Sequence, residues 1–217
     1  MKKTLLGFVI ILFSIISCKK ASEKSTDAQS VSPQPSQSQE YVYTIDTEQS
    51  IINWSGYKIQ KSLNLNHFGT IRFKEGDITF DRILKNGTFI ADMSTLTDDD
   101  LEDSSLNKKL TEHLKSKDFL DTTAYPTATF TINSVTPVEK NSDYNTELNG
   151  SLTFKDISKD ITLKANTRTN KNTLFLNTER FSISRKDFNI IYKGPGDAII
   201  SDNFDIQISI IAQIKKK

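Results

Sequence analysis

Phe204-Asp205-Ile206-Gln207-Ile208-Ser209-Ile210-Ile211-Ala212 is the stretch on which the fold turns. Every even position from 204 to 212 is apolar, and a period of two marks a strand with one buried and one wet face. The same alternation recurs upstream. Ile52, Trp54 and Gly56 share a parity, as do Phe89, Ala91 and Met93, then Phe130 and Ile132, then Leu148, Leu152 and Phe154 after Tyr144. Ile161-Leu163-Ala165, Leu174-Leu176 and Phe181-Ile183 continue it. Gly76-Asp77, Asn86-Gly87, Asn141-Ser142-Asp143 and Gly194-Pro195-Gly196 read as turns between these runs. Strands separated by such punctuation predict an antiparallel all-β fold.

One segment departs from the period. Between residues 104 and 117, Leu106, Leu110 and Leu114 recur every four residues, which is helical spacing. The acids at Asp98-Asp99-Asp100 and Glu102-Asp103 precede it and Lys115 and Lys117 end it, so both ends complement a helix dipole. One amphipathic helix on a β-framework is therefore expected. The acid run lacks the glycine turn and closing bidentate glutamate of a calcium loop. A sheet of about eight or more strands with one apolar face either folds into a two-sheet sandwich or closes into a barrel; periodicity alone leaves both open.

Outside the strands, the chain begins as an exported protein would. Lys2-Lys3 precede an apolar run from Leu5 to Ile16, too short for a membrane span of roughly 20 residues and of the right length for a signal peptide. Residues 1–17 are read as that signal. Cys18, the single cysteine, resembles the acylated cysteine of a bacterial lipobox, which would place the protein at the cell envelope, exported and held by an N-terminal lipid on the periplasmic or outer-surface side. Residues 18–40 are the lipidated cysteine and a tether, because Ser, Gln, Lys and Pro dominate and too little apolar surface is available to offset ordering entropy. Residues 41–217 form one domain. Its single-cysteine chain excludes an internal disulfide, and the formal charge of +1, about −1 without Lys2 and Lys3, gives no field favouring nucleic acid. The Lys215-Lys216-Lys217 end reads as a solvated tail.

Little catalytic chemistry is visible. The two histidines, His67 and His113, have no cysteine or histidine partners at metal-ligand spacing, and no serine or cysteine nucleophile stands in an elbow or triad context. Both histidines are expected to be structural, and Asp118 and Asp121 to serve the helix exit as capping and turn residues. The expectation is no enzyme, no metal and no cofactor.

Several motifs, in order, resemble one family. They are Asn53-Trp54-Ser55-Gly56, His67-Phe68-Gly69, His113 through Asp121, Tyr125-Pro126-Thr127-Ala128-Thr129-Phe130, Leu148 through Phe154, Ile183-Ser184-Arg185-Lys186-Asp187-Phe188 and Ser201-Asp202. The chain resembles the YceI-like lipid/polyisoprenoid-binding proteins across residues 41–217. The family often has glycine at the positions of Asp156 and Asn189, and an Arg-Asp pair where Leu110-Thr111 stand; Asp and Asn are the residues that best tolerate a left-handed backbone. The resemblance implies an antiparallel lipocalin-like β-barrel and an apolar ligand such as a polyisoprenoid, an isoprenoid quinone or an acyl chain. Strand parity then places Trp54, Phe68, Phe89, Met93, Phe130, Leu148, Leu152, Phe181, Phe204 and Ile206 on the lumen wall, joined by Ile52 and Ile208. The competing reading is a lipid-anchored, filled β-sandwich that displays loops to a partner. Whether two copies pair as a homodimer is left open by the sequence.

Overall fold

The alternating runs form ten strands in the computed structural model, which describes residues 39–139 and 142–215. The signal segment, Cys18 and most of the tether lie outside the described residues. The strands are β1 (Tyr41–Ile45), β2 (Ile51–Gln60), β3 (Leu63–Asp81), β4 (Ile83–Asp92), β5 (Thr127–Pro137), β6 (Thr146–Phe154), β7 (Ile157–Asn170), β8 (Thr173–Thr178), β9 (Phe181–Ser184) and β10 (Ile199–Ile214). All their pairings are antiparallel, in the order β1-β10-β2-β3-β4-β5-β6-β7-β8.

The ring closes through β10. Its first half pairs with β2, from Ile199↔Ile59 to Ser209↔Ile51, and its second half pairs on the other edge with β8, from Ser209↔Asn177 to Gln213↔Thr173. Short strands complete each edge: β1 joins β10 to the far end of β3, and β9 lies along β10 at Asn203–Ile206. Closure removes the free sheet edges that a sandwich would leave. The architecture is the all-β, lipocalin-like barrel, not the filled sandwich.

Hairpin chemistry explains the connections. Lys61-Ser62 and Lys155-Asp156 both have φ between 49° and 62°, the left-handed pair that a two-residue hairpin matched to strand twist requires. Asp156 (φ 58°) and Asn189 (φ 55°) hold the left-handed geometry with side chains that tolerate it. Two expected turns are corrected. Gly76-Asp77 lies inside β3 and Asn86-Gly87 inside β4, where Ile78 pairs with Gly87; the β3–β4 reversal is at Arg82, with φ 55°. Gly76 serves close approach instead, since a Cβ there would strike Ile45 Cδ1.

The helix α1 spans Ser104–Lys115, two residues shorter than the spacing suggested. Asp103 caps it, accepting from the N–H groups of Ser105 and Leu106 at 2.9 and 3.0 Å. Leu106 is exposed, whereas Leu114 packs on the core. The core has two zones. One end of the barrel is solid, with Ile78, Leu148, Ala165, Leu174, Leu176 and Ala212 all at 0 % exposure. The other end is hollow.

Candidate functional site

The hollow is a cavity of about 170 Å³ enclosed by β2 to β7, β9 and β10, by Leu114 of α1 and by the segments on either side of that helix. At roughly 10–15 Å³ of such space per water-sized group, it accommodates on the order of a dozen such groups in file. Phe89 and Phe130, paired across β4 and β5, pack with ring centres 6.1 Å apart and planes tilted by 33°. Trp54 adds a large apolar face and turns its Nε1–H outward to the Thr97 carbonyl at 3.0 Å. An indole whose polar edge is satisfied elsewhere presents only hydrocarbon to the lumen. Apart from Arg185, Tyr57, Ser201 and Asn203, the lining residues are apolar.

The polar groups of the lining cluster where β10 begins. Arg185 lines the cavity while only 4 % exposed. Its Nε donates to Ser201 O at 2.9 Å, Nη1 to Ile190 O, and Nη2 to Asp202 Oδ1 at 3.3 Å, so a buried charge is both hydrogen-bonded and paired, as burial demands. Lys186 donates to the other oxygen of Asp202 at 2.6 Å. That bond, with the two nearby cations, holds the Asp202 carboxyl below the usual range.

A strap from Leu96 to Asp103 runs along the edge of β3 beyond the end of β4, against the inward face at Gly69, and leads into α1. Thr97 N–H donates to Thr70 O at 2.9 Å and Asp99 N–H to Phe68 O at 2.8 Å. Gly69 makes this possible, because a Cβ at that position would collide with Thr97 O. Under the strap, His67 Nδ1 lies 3.1 Å from Asp100 Oδ2 and 4.0 Å from Asp98 Oδ2. Burial, together with the neighbouring Asp100, pushes the Asp98 carboxyl up. For Asp100, burial acts in the same direction but is outweighed by hydrogen bonds, chiefly from Phe68 N–H, that hold its carboxyl down. His113 packs edge-on to Tyr192 at 4.7 Å, and Asp121 takes φ 49° in the turn after the helix.

Of the residues expected on the wall, Trp54, Phe89, Met93, Phe130, Leu152, Phe181, Phe204 and Ile206 line the cavity, with Ile52 and Ile208. Two are corrected. Phe68 is 47 % exposed: Trp54 pairs with Gly69, so the adjacent Phe68 pairs with Ser55 and points out of the barrel. Leu148 has inward parity but is fully buried at the solid end, so it is plain core. Sequence reasoning missed Phe73, Leu96, Leu114, Phe119, Phe154, Phe188 and Arg185 on the lining. Phe73 was readable from the parity it shares with Gly69 and Ile71; Leu96, Phe119 and Phe188 sit in connections, where no period exists to read.

The chain is similar to several known proteins. Protein YceI of Shigella flexneri is 37 % identical over 98 residues, which are 45 % of this chain and 47 % of that protein; its Escherichia coli counterpart is 36 % identical over the same length. The chain thus spans about half the length of these relatives. Burkholderia cenocepacia BcnA superposes with a TM-score of 0.59 at 21 % identity, covering 78 % of this chain and 99 % of that one. A polyisoprenoid binding domain from Saccharophagus degradans, implicated in plant cell wall breakdown, superposes with a TM-score of 0.55 at 12 % identity, covering 81 % and 99 %. At these identities the superpositions speak for the barrel alone. The model of the YceI-like domain matches residues 43–212, from within β1 into β10, and the chain belongs to that family.

Proposed function

We propose that the barrel binds one long apolar chain, a polyisoprenoid, isoprenoid quinone or acyl lipid, and sequesters or carries it at the cell envelope without chemical change. The observation that carries this reading is a lumen walled by hydrocarbon with a single buried guanidinium in its lining. Each methylene moved from water into such a lumen contributes about 0.8 kcal/mol, so a dozen contribute on the order of 10 kcal/mol before the costs of association. No catalytic group is needed for that. The polyisoprenoid binding of the Saccharophagus domain supports the ligand class. A chain longer than about a dozen groups would extend past the rim, where Tyr57, Ile200 and Asn203 stand. Acylation of Cys18 would keep the carrier beside its lipid source.

The test is organic extraction of protein purified from its own membrane environment, followed by mass spectrometry. One apolar lipid per chain is the expected result. Lipid-free protein that also fails to take up a prenyl or acyl probe would overturn the carrier reading in favour of a lipid-anchored interaction module.

A further inference from the structure

The fold assembles a second site that sequence spacing does not show. We propose that His67, Asp98 and Asp100 bind one divalent first-row transition cation, which clasps the strap to β3. Neither the lipid reading nor the cavity is needed for this site.

Three observations carry it. First, one ligand atom from each residue lies within 4.8 Å of the others, with Nδ1 of His67 at 3.1 and 4.0 Å from the two Oδ2 atoms. Bonds of about 2.0–2.2 Å in a tetrahedral arrangement bring ligand atoms about 3.4 Å apart, so shifts of an ångström or less complete the geometry. Second, the outer oxygens are already engaged. Asp98 Oδ1 accepts from Leu101 N–H at 3.0 Å and Asn107 Nδ2 at 3.2 Å, and Asp100 Oδ1 accepts from Phe68 N–H at 2.9 Å. Bonds of this kind orient carboxylates toward a metal. Third, Asp98 is 6 % exposed, and its Oδ2 is the one buried side-chain polar atom among the described residues without a hydrogen-bond partner. At 4.0 Å the histidine is beyond hydrogen-bond reach of it. A buried carboxylate oxygen left unpaired is costly, and a cation between the three groups removes that cost.

The donor set selects the ion. One imidazole with two carboxylates suits zinc and its neighbours, whereas calcium requires six to eight oxygens. Three protein ligands leave a fourth position for water. His67 comes from β3 and the two aspartates from the strap, so the ion would join residues about thirty positions apart on the element that carries Leu96 and leads to Leu114, both on the cavity lining.

The experiment uses the full chain, stripped with chelator, and titrates zinc chloride by calorimetry with calcium chloride as the comparison. One zinc per chain is expected, with no saturable calcium binding. Asp98→Asn and His67→Ala should each weaken zinc at least tenfold. Asn107→Ala, which removes the bond to Asp98 Oδ1 together with those to the Asp98 and Leu101 carbonyls, should weaken it roughly 10–100-fold, and His113→Ala should change nothing. Melting curves for each variant separate lost binding from lost folding. Should the variants fail to fold, cobalt added to the wild type still decides: intense visible absorption of a four-coordinate site supports the proposal, and the pale spectrum of hydrated cobalt refutes it. Zinc binding that is absent at 0.1 mM (on the order of 10⁻⁴ M, weaker than ordinary protein metal sites), or that survives Asp98→Asn unchanged, overturns it.

Discussion

Filling the lumen from its wall is the sharpest test of the carrier reading, and Ala91 is the place to do it. Ala91 lies on β4 between Phe73 and Ala128, is buried, and lines the cavity. Ala91→Trp adds an indole that can remove about 150–250 Å² of its surface from water and that projects from the wall into a space of about 170 Å³. If that space is a vacant lumen, the ring enters it and stability changes little, since overpacking of about 1–3 kcal/mol is offset by several kcal/mol of apolar burial at ~25 cal/mol/Å². Ligand occupancy should then fall steeply. The complementary change, Leu152→Ala, removes a half-buried wall residue opposite Phe130. Part of that side chain already faces the cavity, so the loss should be about 1–2 kcal/mol, below the 2–5 kcal/mol of a fully packed leucine, while the retained lipids shift to bulkier or longer chains. Native mass spectrometry of the extracted lipids, with urea denaturation of each variant, reads both quantities. If Ala91→Trp costs more than 3 kcal/mol and leaves wild-type lipid bound, the space is not the lipid site and the reasoning fails.

Other outcomes follow from single contacts. Gly69→Ala should cost on the order of 3 kcal/mol by displacing Thr97 O and with it three hydrogen bonds of the strap, at about 1 kcal/mol each; a loss below 1 kcal/mol in chemical denaturation would show that the strap is not held there. Asp156→Gly, at φ 58°, should stabilise by about 0.5–1 kcal/mol and raise the melting temperature by a few degrees, whereas Lys155, whose Nζ donates to Phe119 O at 3.1 Å, should be left in place; a lower melting temperature for the glycine variant would contradict the turn assignment. Cys18→Ala should release the protein from membranes in fractionation without moving its melting temperature, and full retention on membranes would refute acylation at that residue.

Which parts of this molecule were legible in its sequence depends on whether a repeating geometry lay behind them. Strand parity was, because side chains in a ladder must alternate, and it correctly brought Trp54, Phe130 and Ile206 to one side of the sheet. Depth along the barrel was not: Leu148 and Leu152 share parity, yet register puts the first in the solid end and the second at the cavity. Phe68 was misplaced because an aromatic residue beside a glycine looks like the buried member of the pair, when here the glycine faces inward and leaves room for the strap. The glycines of β3 and β4 misled for a related reason, being required for close approach where a turn was expected. Arg185 ran against any reading of an apolar lumen, and only the Ile183-Ser184-Arg185 motif marked it. His67 and Asp98 are brought together by the strap running along β3, a tertiary event that leaves no local spacing.

The division of the barrel into a solid and a hollow end is what makes a cavity of this size tolerable. A cavity forgoes dispersion contacts along its whole lining, at about 20 cal/mol per Å² of cavity surface, and a chain without an internal disulfide has no covalent means of offsetting that loss. The solid end supplies it: β8 and the second half of β10 bury Leu174, Leu176, Ile210 and Ala212 at 0–1 % exposure, and the ladder from Ser209 to Gln213 closes the ring at the same place. Closure and dense packing therefore coincide, and the hollow end is left to be held by local devices: the Trp54–Thr97 bond, the capped helix and the carbonyl cage around Arg185. On the carrier reading, ligand entry would need only those devices to yield, at the energy of a few hydrogen bonds, while the ladder that closes the barrel stays intact.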